Sequence, residues 1–96
     1  MSTVRRIVID VLKPHDPPLV EFSRELSGIE SVESVTTTLV ELDQEVQNVE
    51  LALEGEAVDY GAVEAAIEEL GGTVHSVDQV ACGSHVIDDP RAHRRT

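Results

Sequence analysis

The spacing of apolar residues changes several times along this chain, and the order of those changes constrains its fold more than any other feature. Four segments alternate apolar and polar residues, as strands do, and two repeat apolar residues every three or four positions, as helices do. The strands are predicted at 5–13, 34–42, 49–54 and 73–81, with a helix after the first strand and another after the third. The predicted order is therefore strand, helix, strand, strand, helix, strand.

Local signals indicate where the two helices begin and end. Asp16 and Asp59 each precede a helix, where a carboxylate can cap it by accepting a hydrogen bond from a backbone N–H of the first turn. Gly28 and the Gly71–Gly72 pair are natural places for the helices to end. The apolar stripes are Leu19, Phe22 and Leu26 in the first helix, and Val63, Ala66, Ile67 and Leu70 in the second.

This element order predicts an α+β fold. Two interleaved right-handed β-α-β crossovers give a four-stranded antiparallel sheet in the order 4-1-3-2, with both helices on one face. This arrangement is the ferredoxin-like βαββαβ sandwich. We expect one domain over residues 1–85 and a mobile C-terminal tail over 86–96, because the tail lacks apolar periodicity.

Charge narrows the classes of partner. Nineteen acidic residues against seven basic ones give a formal net charge of −12. Such a chain repels phosphate backbones, which argues against nucleic acid as a partner. The net charge also opposes folding by self-repulsion, which salt screens. We therefore expect a halophilic source, the alternative being an ordinary acidic protein.

The cysteine count and the first apolar run indicate the compartment. Cys82 is the single cysteine, so no intrachain disulfide can form, which fits a reducing environment. Arg5 and Arg6 precede an apolar run, but that run is short and Asp10 interrupts it, which is not typical of a signal peptide. No apolar stretch approaches transmembrane length. We expect a cytoplasmic protein with no membrane partner.

Asp10 is the residue that most suggests a site. Ile7, Ile9 and Val11 should face the helices, so Asp10 should point to the open face of the sheet. Strand four is predicted to lie beside it, with either Ser76 or Asp78 across from Asp10. Two facing carboxylates repel unless one is protonated or a cation lies between them, and oxygen ligands suit Ca²⁺ or Mg²⁺. The alternatives are an exposed charge or a pairing with a basic residue at a subunit interface.

The topology brings further polar residues toward the same edge of the sheet. The end of strand one, the hairpin between strands two and three, and the start of strand four should converge there. The candidate metal ligands are Asp10, Glu41, Asp43 and Asp78, and the candidate ligand-binding or interface residues are Lys13, His15, His75 and Ser76. The two histidines could instead act as acid–base groups. No partnered nucleophile accompanies them, so we expect a protein that is not an enzyme.

Two other motifs give weaker indications of a functional site. Cys82 and His85 have the spacing of half a zinc site, but the second half is missing, so we expect an inert thiol. The tail holds Arg91, Arg94 and Arg95 together with His93. Such a segment could dock on an acidic neighbour or bind nucleic acid, but we expect a solvated terminus.

Three stretches resemble the archaeal domain-of-unknown-function family 211. They are RIVIDVLKPHDP, TLVELDQEVQN and AIEELGGTVHSVDQV, and the resemblance covers about the first 83 residues. It implies a ferredoxin-like subunit that assembles into homo-oligomers, without an established activity. Cys82, His85 and the arginine-rich tail fall outside the pattern. The matching positions are Asp10, Lys13, Pro14, His15, Glu41, Asp43, Gly72, His75, Ser76 and Asp78.

These observations predict a non-catalytic, homo-oligomeric binding module. It would hold a divalent cation or a small ligand at the sheet edge or at a subunit interface. Val8 and Leu12 flank Asp10 on the open face, and such an apolar strip favours a partner surface. One alternative is a regulatory or structural assembly protein without a metal. The other is an enzyme that uses His15 or His75 with a carboxylate.

Overall fold

The computed structural model describes residues 3–86 and has the predicted element order. The elements are β1 (Val4–Pro14), α1 (Leu19–Ser27), β2 (Ser34–Leu42), β3 (Val46–Glu54), α2 (Tyr60–Glu69) and β4 (Thr73–Cys82). The four strands form one antiparallel sheet in the order β2-β3-β1-β4. The ferredoxin-like fold and its strand order are therefore confirmed.

The core lies between the sheet and the two helices. In β1 the odd-numbered positions from Ile7 to Val11 are buried, and the even-numbered ones are half-buried, as the period of two requires. Facing them, α1 buries Phe22 and Leu26, and α2 buries Val63 and Ile67. Val49, Leu51 and Leu53 complete the layer from β3.

The two helices begin differently. Asp59 caps α2 as predicted, because its carboxylate accepts a hydrogen bond of 3.2 Å from the backbone N–H of Ala62. The cap predicted for Asp16 is wrong: Pro18 is the N-cap residue of α1 and makes no side-chain cap hydrogen bond. Two consecutive prolines follow Asp16, and the helix begins after them, at Leu19, so that Pro18 and not Asp16 occupies the N-cap position.

Strand β3 begins three residues earlier than predicted. Only residues 43–45 separate β2 from β3, and the N–H of Asp43 donates to the carbonyl of Val46 across the turn at 3.0 Å. Gln47 and Asn48 therefore belong to the sheet. Polar residues at the start of a hairpin strand resemble turn residues in sequence. The alternation of apolar residues alone therefore assigned Gln47 and Asn48 to the turn.

The pairing of β1 with β4 is irregular, whereas its pairing with β3 is continuous from Arg6 to Pro14. Register shifts in the β1–β4 pair leave Asp78 and His75 as extra residues on β4. Each shift bends the strand and turns side chains away from strict alternation. Neither helix in residues 3–86 is long and apolar enough to cross a membrane.

Candidate functional site

Lys13 is the one charged residue whose side chain is fully buried in residues 3–86. Its Nζ donates hydrogen bonds to the carbonyl oxygen of Pro14 at 2.7 Å and to Oε1 of Gln47 at 2.9 Å. The ammonium also lies 5.7 Å from the centre of the Phe22 ring, within cation–π range. Burial lowers the pKa of Lys13, while the nearby charge of Asp16 acts in the opposite direction.

Lys13 is predicted from the sequence as a ligand-binding or interface residue, and the structure places its side chain inside the fold. It continues the odd-numbered positions of β1 that face the helices, and Gln47 is its register partner in β3. The chain therefore points an ammonium into the apolar layer and supplies neutral oxygens there. In the described fold the Lys13 side chain is fully buried, and its hydrogen bond to Gln47 joins the ends of β1 and β3.

His15 and Asp43 meet at the same end of the sheet. Nε2 of His15 lies 2.9 Å from the backbone carbonyl oxygen of Asp43, and because a carbonyl oxygen can only accept, the ring donates its Nε2–H to that oxygen. The Asp43 carboxylate accepts a hydrogen bond from the N–H of Gln44 inside the turn. Both residues are exposed. This contact fixes the loop after β1 against the hairpin, as the predicted convergence of these segments requires.

Asp10 lies on the open face between two polar partners. Its register partner in β3 is Glu50, and its register partner in β4 is Ser76. The hydroxyl of Ser76 donates to the carboxylate of Asp78 at 2.7 Å. Across the open face the order is therefore Glu50, Asp10 and Ser76, with Asp78 attached through Ser76. We call these four residues the acidic row.

The predicted candidates thus fall into two groups and not into one site. Lys13 is buried at the end of β1, while Asp10 lies three residues earlier on the opposite face, about 10 Å away along the strand. Glu41 and His75 are exposed, and neither has a side-chain hydrogen bond within residues 3–86. In that same range no three histidine, cysteine or acidic side chains are grouped so that they could hold a metal ion.

Glu50 and Gln47 are the neighbours that sequence reasoning missed. The turn over residues 43–45 pairs Leu42 with Gln47, and Val40 is then an extra residue of β2, so that Glu50 pairs with Thr38. In the separate pairing of β3 with β1, Gln47 faces Lys13 and Glu50 faces Asp10. The length of the turn was therefore a signal that Gln47 belongs to the sheet, but it did not fix the register of β3 against β1.

Exposed apolar surface concentrates at the edges of the sheet. Val8 and Leu12 do lie on the open face, but both are half-buried. Among the described residues, five of the six exposed large apolar side chains belong to the two edge strands, and the sixth is Val20 of α1. The five are Leu39, Val40 and Leu42 on β2, and Val77 and Val80 on β4.

Cys82 lies near the start of β1, and among residues 3–86 it belongs to no group of side chains that could hold a metal ion. Cys82 is free and exposed at the end of β4. His85 contacts Ser84 through Nδ1 at 3.3 Å. Cys82 and His85 line a shallow recess together with Arg6, Gln79 and Val86. Val86 is the last described residue, and the arginine-rich segment that follows lies outside the described residues.

Comparison with known proteins identifies the family. The model of the DUF211 family, described as uncharacterized ArCR, COG1888, matches residues 5–96, so the match extends beyond the 83 residues that carried the resemblance and includes the arginine-rich segment. The uncharacterized protein MJ0319 of Methanocaldococcus jannaschii, an archaeon, is 38% identical over 91 residues, which cover 95% of this chain and 94% of the relative. The chain therefore belongs to the DUF211 family.

Proposed function

We propose that the protein is a non-catalytic, homo-oligomeric binding module whose copies meet along the edge strand β2. The observation that carries this proposal is the exposure of Leu39, Val40 and Leu42, whose exposed fractions are 44%, 61% and 63%. These three side chains occupy the last four positions of a strand that has only one neighbour in the sheet. Apolar side chains beside unpaired backbone groups favour pairing with another strand.

The other edge is less suited to this pairing. The two extra residues on β4 bend that strand and interrupt the row of outward backbone groups, a known protection of sheet edges. The β2 strand has one extra residue in its pairing with β3, Val40, which lies within the proposed contact, against two extra residues on β4. A second copy that met β2 with its own β2 would give a closed, two-fold interface.

Light scattering and sedimentation in concentrated KCl test the proposal. The natural chain should exceed the monomer mass at micromolar concentration. Leu42→Gln should weaken association roughly tenfold or more, since burying one leucine contributes about 1.5–3 kcal/mol. Val20→Gln is the matched control, because Val20 is also 63% exposed but lies on α1. A monomeric natural chain, or equal weakening by both substitutions, contradicts the β2 interface.

A divalent cation beside Asp10 is a second candidate, which the register of Asp10 between Glu50 and Ser76 favours, although no three carboxylates of residues 3–86 are grouped so that they could hold a metal ion. Carboxylate and hydroxyl oxygens suit Ca²⁺ or Mg²⁺. Glu41 and Asp43, predicted as further ligands, lie outside the acidic row, so water would have to complete the coordination. The histidine-dependent enzyme has less support, because His15 is bonded to a backbone carbonyl and has no nucleophile beside it.

Thermal unfolding with and without cation tests this second candidate. At fixed ionic strength, Ca²⁺ or Mg²⁺ at about 100 times its Kd should stabilise the fold by about 2.7 kcal/mol, by mass action. Asp10→Asn should abolish that increment, while Glu68→Gln, which removes an exposed charge from α2, should keep it. Equal increments in Asp10→Asn and the natural chain reject the cation on the acidic row. A regulatory or structural assembly without metal then remains.

A further inference from the structure

We infer that Glu41 makes the association of two copies through β2 depend on salt, because the two Glu41 carboxylates meet beside the two-fold axis of that interface. This inference rests on the proposed function, since it requires that β2 of one copy pairs with β2 of another. It adds the register of that pairing and the variable that regulates it. Three observations support it: the extra residue in β2, the exposure of the side chains around that residue, and the lack of a countercharge for Glu41.

The extra residue, Val40, places the two leucines at the end of β2 on one face of the sheet. Residues directly opposite each other in an antiparallel pair point to the same face. Leu39 lies opposite Val49, which is buried beneath the helices. Leu42 lies opposite Gln47, two positions from Val49 on β3, so it points to the same face. Both leucines therefore lie on the helix side of the sheet, although strict alternation would put residues three positions apart on opposite faces.

Glu41 lies on the other face, which the helices leave open. Its register partner is Asn48, which stands between Gln47 and Val49 on β3 and so points away from the helices. Val40 and Glu41 oppose Asn48 together, as the two residues of a bulge do, and they point to roughly the same side. The end of β2 thus presents two exposed leucines on one face and an exposed valine with a carboxylate on the other.

This pattern is complementary to itself. Two identical antiparallel strands related by a two-fold axis pair residue i with residue j and residue j with residue i. With Leu39 opposite Leu42 of the second copy, Val40 lies opposite Glu41 of the second copy, and every opposed pair shares a face. Shifting the register by one residue in either direction sets a leucine opposite a side chain of the other face. The faces of β2 therefore select a second copy of β2 in this one register.

In this register each Glu41 lies diagonally across the axis from the other. Neighbouring strands are about 4.8 Å apart and rise about 3.3 Å per residue, which puts the two Glu41 Cα atoms about 6 Å apart. Both side chains point to the open face. Within residues 3–86 Glu41 forms no ion pair that would neutralise it. Like charges that face each other across two strands destabilise the pairing, so the carboxylates oppose the association that the leucines favour.

The salt concentration decides between these two effects. The Debye length is about 10 Å at 0.1 M ionic strength and about 3 Å at 1 M. A repulsion acting over about 6 Å therefore persists in dilute salt and is largely screened in concentrated salt. Burial of the leucines does not depend on such screening. The copies should separate in dilute salt and associate in concentrated salt.

Sedimentation equilibrium at about 0.1 M and about 1 M KCl tests this dependence. Glu41→Gln should lower the Kd of the dimer roughly fivefold or more at the lower concentration and less than about twofold at the higher one, since it removes the repelling pair. Glu33→Gln is the matched control, because it changes the net charge equally. Glu33 is exposed and lies about 25 Å along β2 from the axis, so its substitution should change the Kd less than about twofold at both concentrations.

Reversing the charge tests whether Glu41 meets its own copy. Glu41→Lys should repel itself in a homodimer but attract Glu41 of the natural chain. In an equal mixture of the two chains in about 0.1 M ammonium acetate, with one chain labelled with ¹⁵N, native mass spectrometry should show heterodimers as clearly more than half of all dimers. Glu33→Lys mixed in the same way should give the statistical half, because Glu33 lies far from the axis.

The outcomes separate this inference from the interface on which it rests. A natural chain that stays monomeric in concentrated KCl rejects the β2 interface itself, and the inference with it. If the natural chain associates and Leu42→Gln weakens the association, the interface stands. Equal effects of Glu41→Gln and Glu33→Gln, equal tightening by Glu41→Gln at both salt concentrations, or a statistical share of heterodimers with Glu41→Lys then overturns the role of Glu41 alone.

Discussion

The two faces of the sheet treat charge in opposite ways, and β1 shows both. Lys13 faces the helices, where its ammonium is fully buried and bonded to two neutral oxygens. Asp10, three residues earlier, faces away from the helices beside the carboxylate of Glu50. On the face covered by the helices, the buried ammonium of Lys13 is stabilised by hydrogen bonds to two oxygens of the chain, the carbonyl of Pro14 and Oε1 of Gln47. The open face places the carboxylates of Asp10 and Glu50 side by side, and within residues 3–86 neither forms an ion pair.

The two faces should differ most in how much an alanine substitution lowers the free energy of unfolding, and the adjacent residues Ile9 and Asp10 allow that comparison. Ile9 is fully buried, so Ile9→Ala should lower the free energy of unfolding by about 2–5 kcal/mol, through lost burial and the cavity left behind. Asp10→Ala, one residue further along the same strand, should change it by no more than about 0.5 kcal/mol. Denaturant unfolding monitored by circular dichroism measures both. Similar losses at the two positions would contradict the division between the faces.

Salt should act mainly through the exposed charges. Raising KCl from about 0.1 M to about 1 M shortens the Debye length from about 10 Å to about 3 Å, which screens the repulsion among the acidic residues. We expect a gain of about 1 kcal/mol or more, equivalent to a rise of about 4–8 °C in Tm. Ile9→Ala should keep the same dependence on salt, since it removes no charge. A Tm that stays flat up to about 2 M KCl would argue against a halophilic source.

The smallest effect should come from Lys13 in alkaline solution. Burial lowers the pKa of Lys13 in the folded state, so the unfolded chain holds this proton to a higher pH. The free energy of unfolding should therefore rise with pH between the lowered folded pKa and the ordinary lysine value. Lys13→Met should abolish this rise. Because Lys13 is the single lysine of the chain, no other lysine contributes.

Tyr60 acts in the opposite direction and has to be removed from the comparison. Burial raises the pKa of the Tyr60 phenol, and the charges of Glu64 and Glu68 raise it further. The folded chain then holds the phenol proton longer than the unfolded chain, which lowers stability as pH rises above the ordinary tyrosine value. The measurement therefore belongs in a Tyr60→Phe background. An unchanged pH slope after Lys13→Met in that background would show that Lys13 is not desolvated.

The fold could be predicted from the sequence because the repeat of apolar residues is regular wherever the side chains are fully buried. The spacing of Phe22 and Leu26 fits only a helix. The alternation of Ile7, Ile9 and Val11 fits only a strand. The cap at Asp16 could not be predicted from spacing, because the two prolines determine where the helix can begin. The start of β3 was missed since Gln47 is polar, and its reason for lying in the sheet is Lys13 on the neighbouring strand.

The candidate site was harder to predict than the fold. The position of Asp10 on the open face followed from alternation, and the antiparallel pairing with β4 left Ser76 and Asp78 as its possible neighbours. Glu50 required the exact register of β3 against β1, which the hairpin turn does not fix. The burial of Lys13 was available from the same alternation that placed Asp10. A lysine at the end of a strand usually faces solvent. For this reason Lys13 was predicted as a ligand-binding or interface residue, although the alternation of β1 places it on the face toward the helices.

The burial of the single lysine gives the protein an unusual response to amine-directed chemistry. Reagents that acylate lysine side chains find no accessible ε-amine on the folded chain, so labelling is confined to the α-amino group. A second label per molecule can be added only when β1 separates from β3 and α1 and exposes Lys13. The number of labels therefore reports opening of the core directly, one molecule at a time, without any engineered probe.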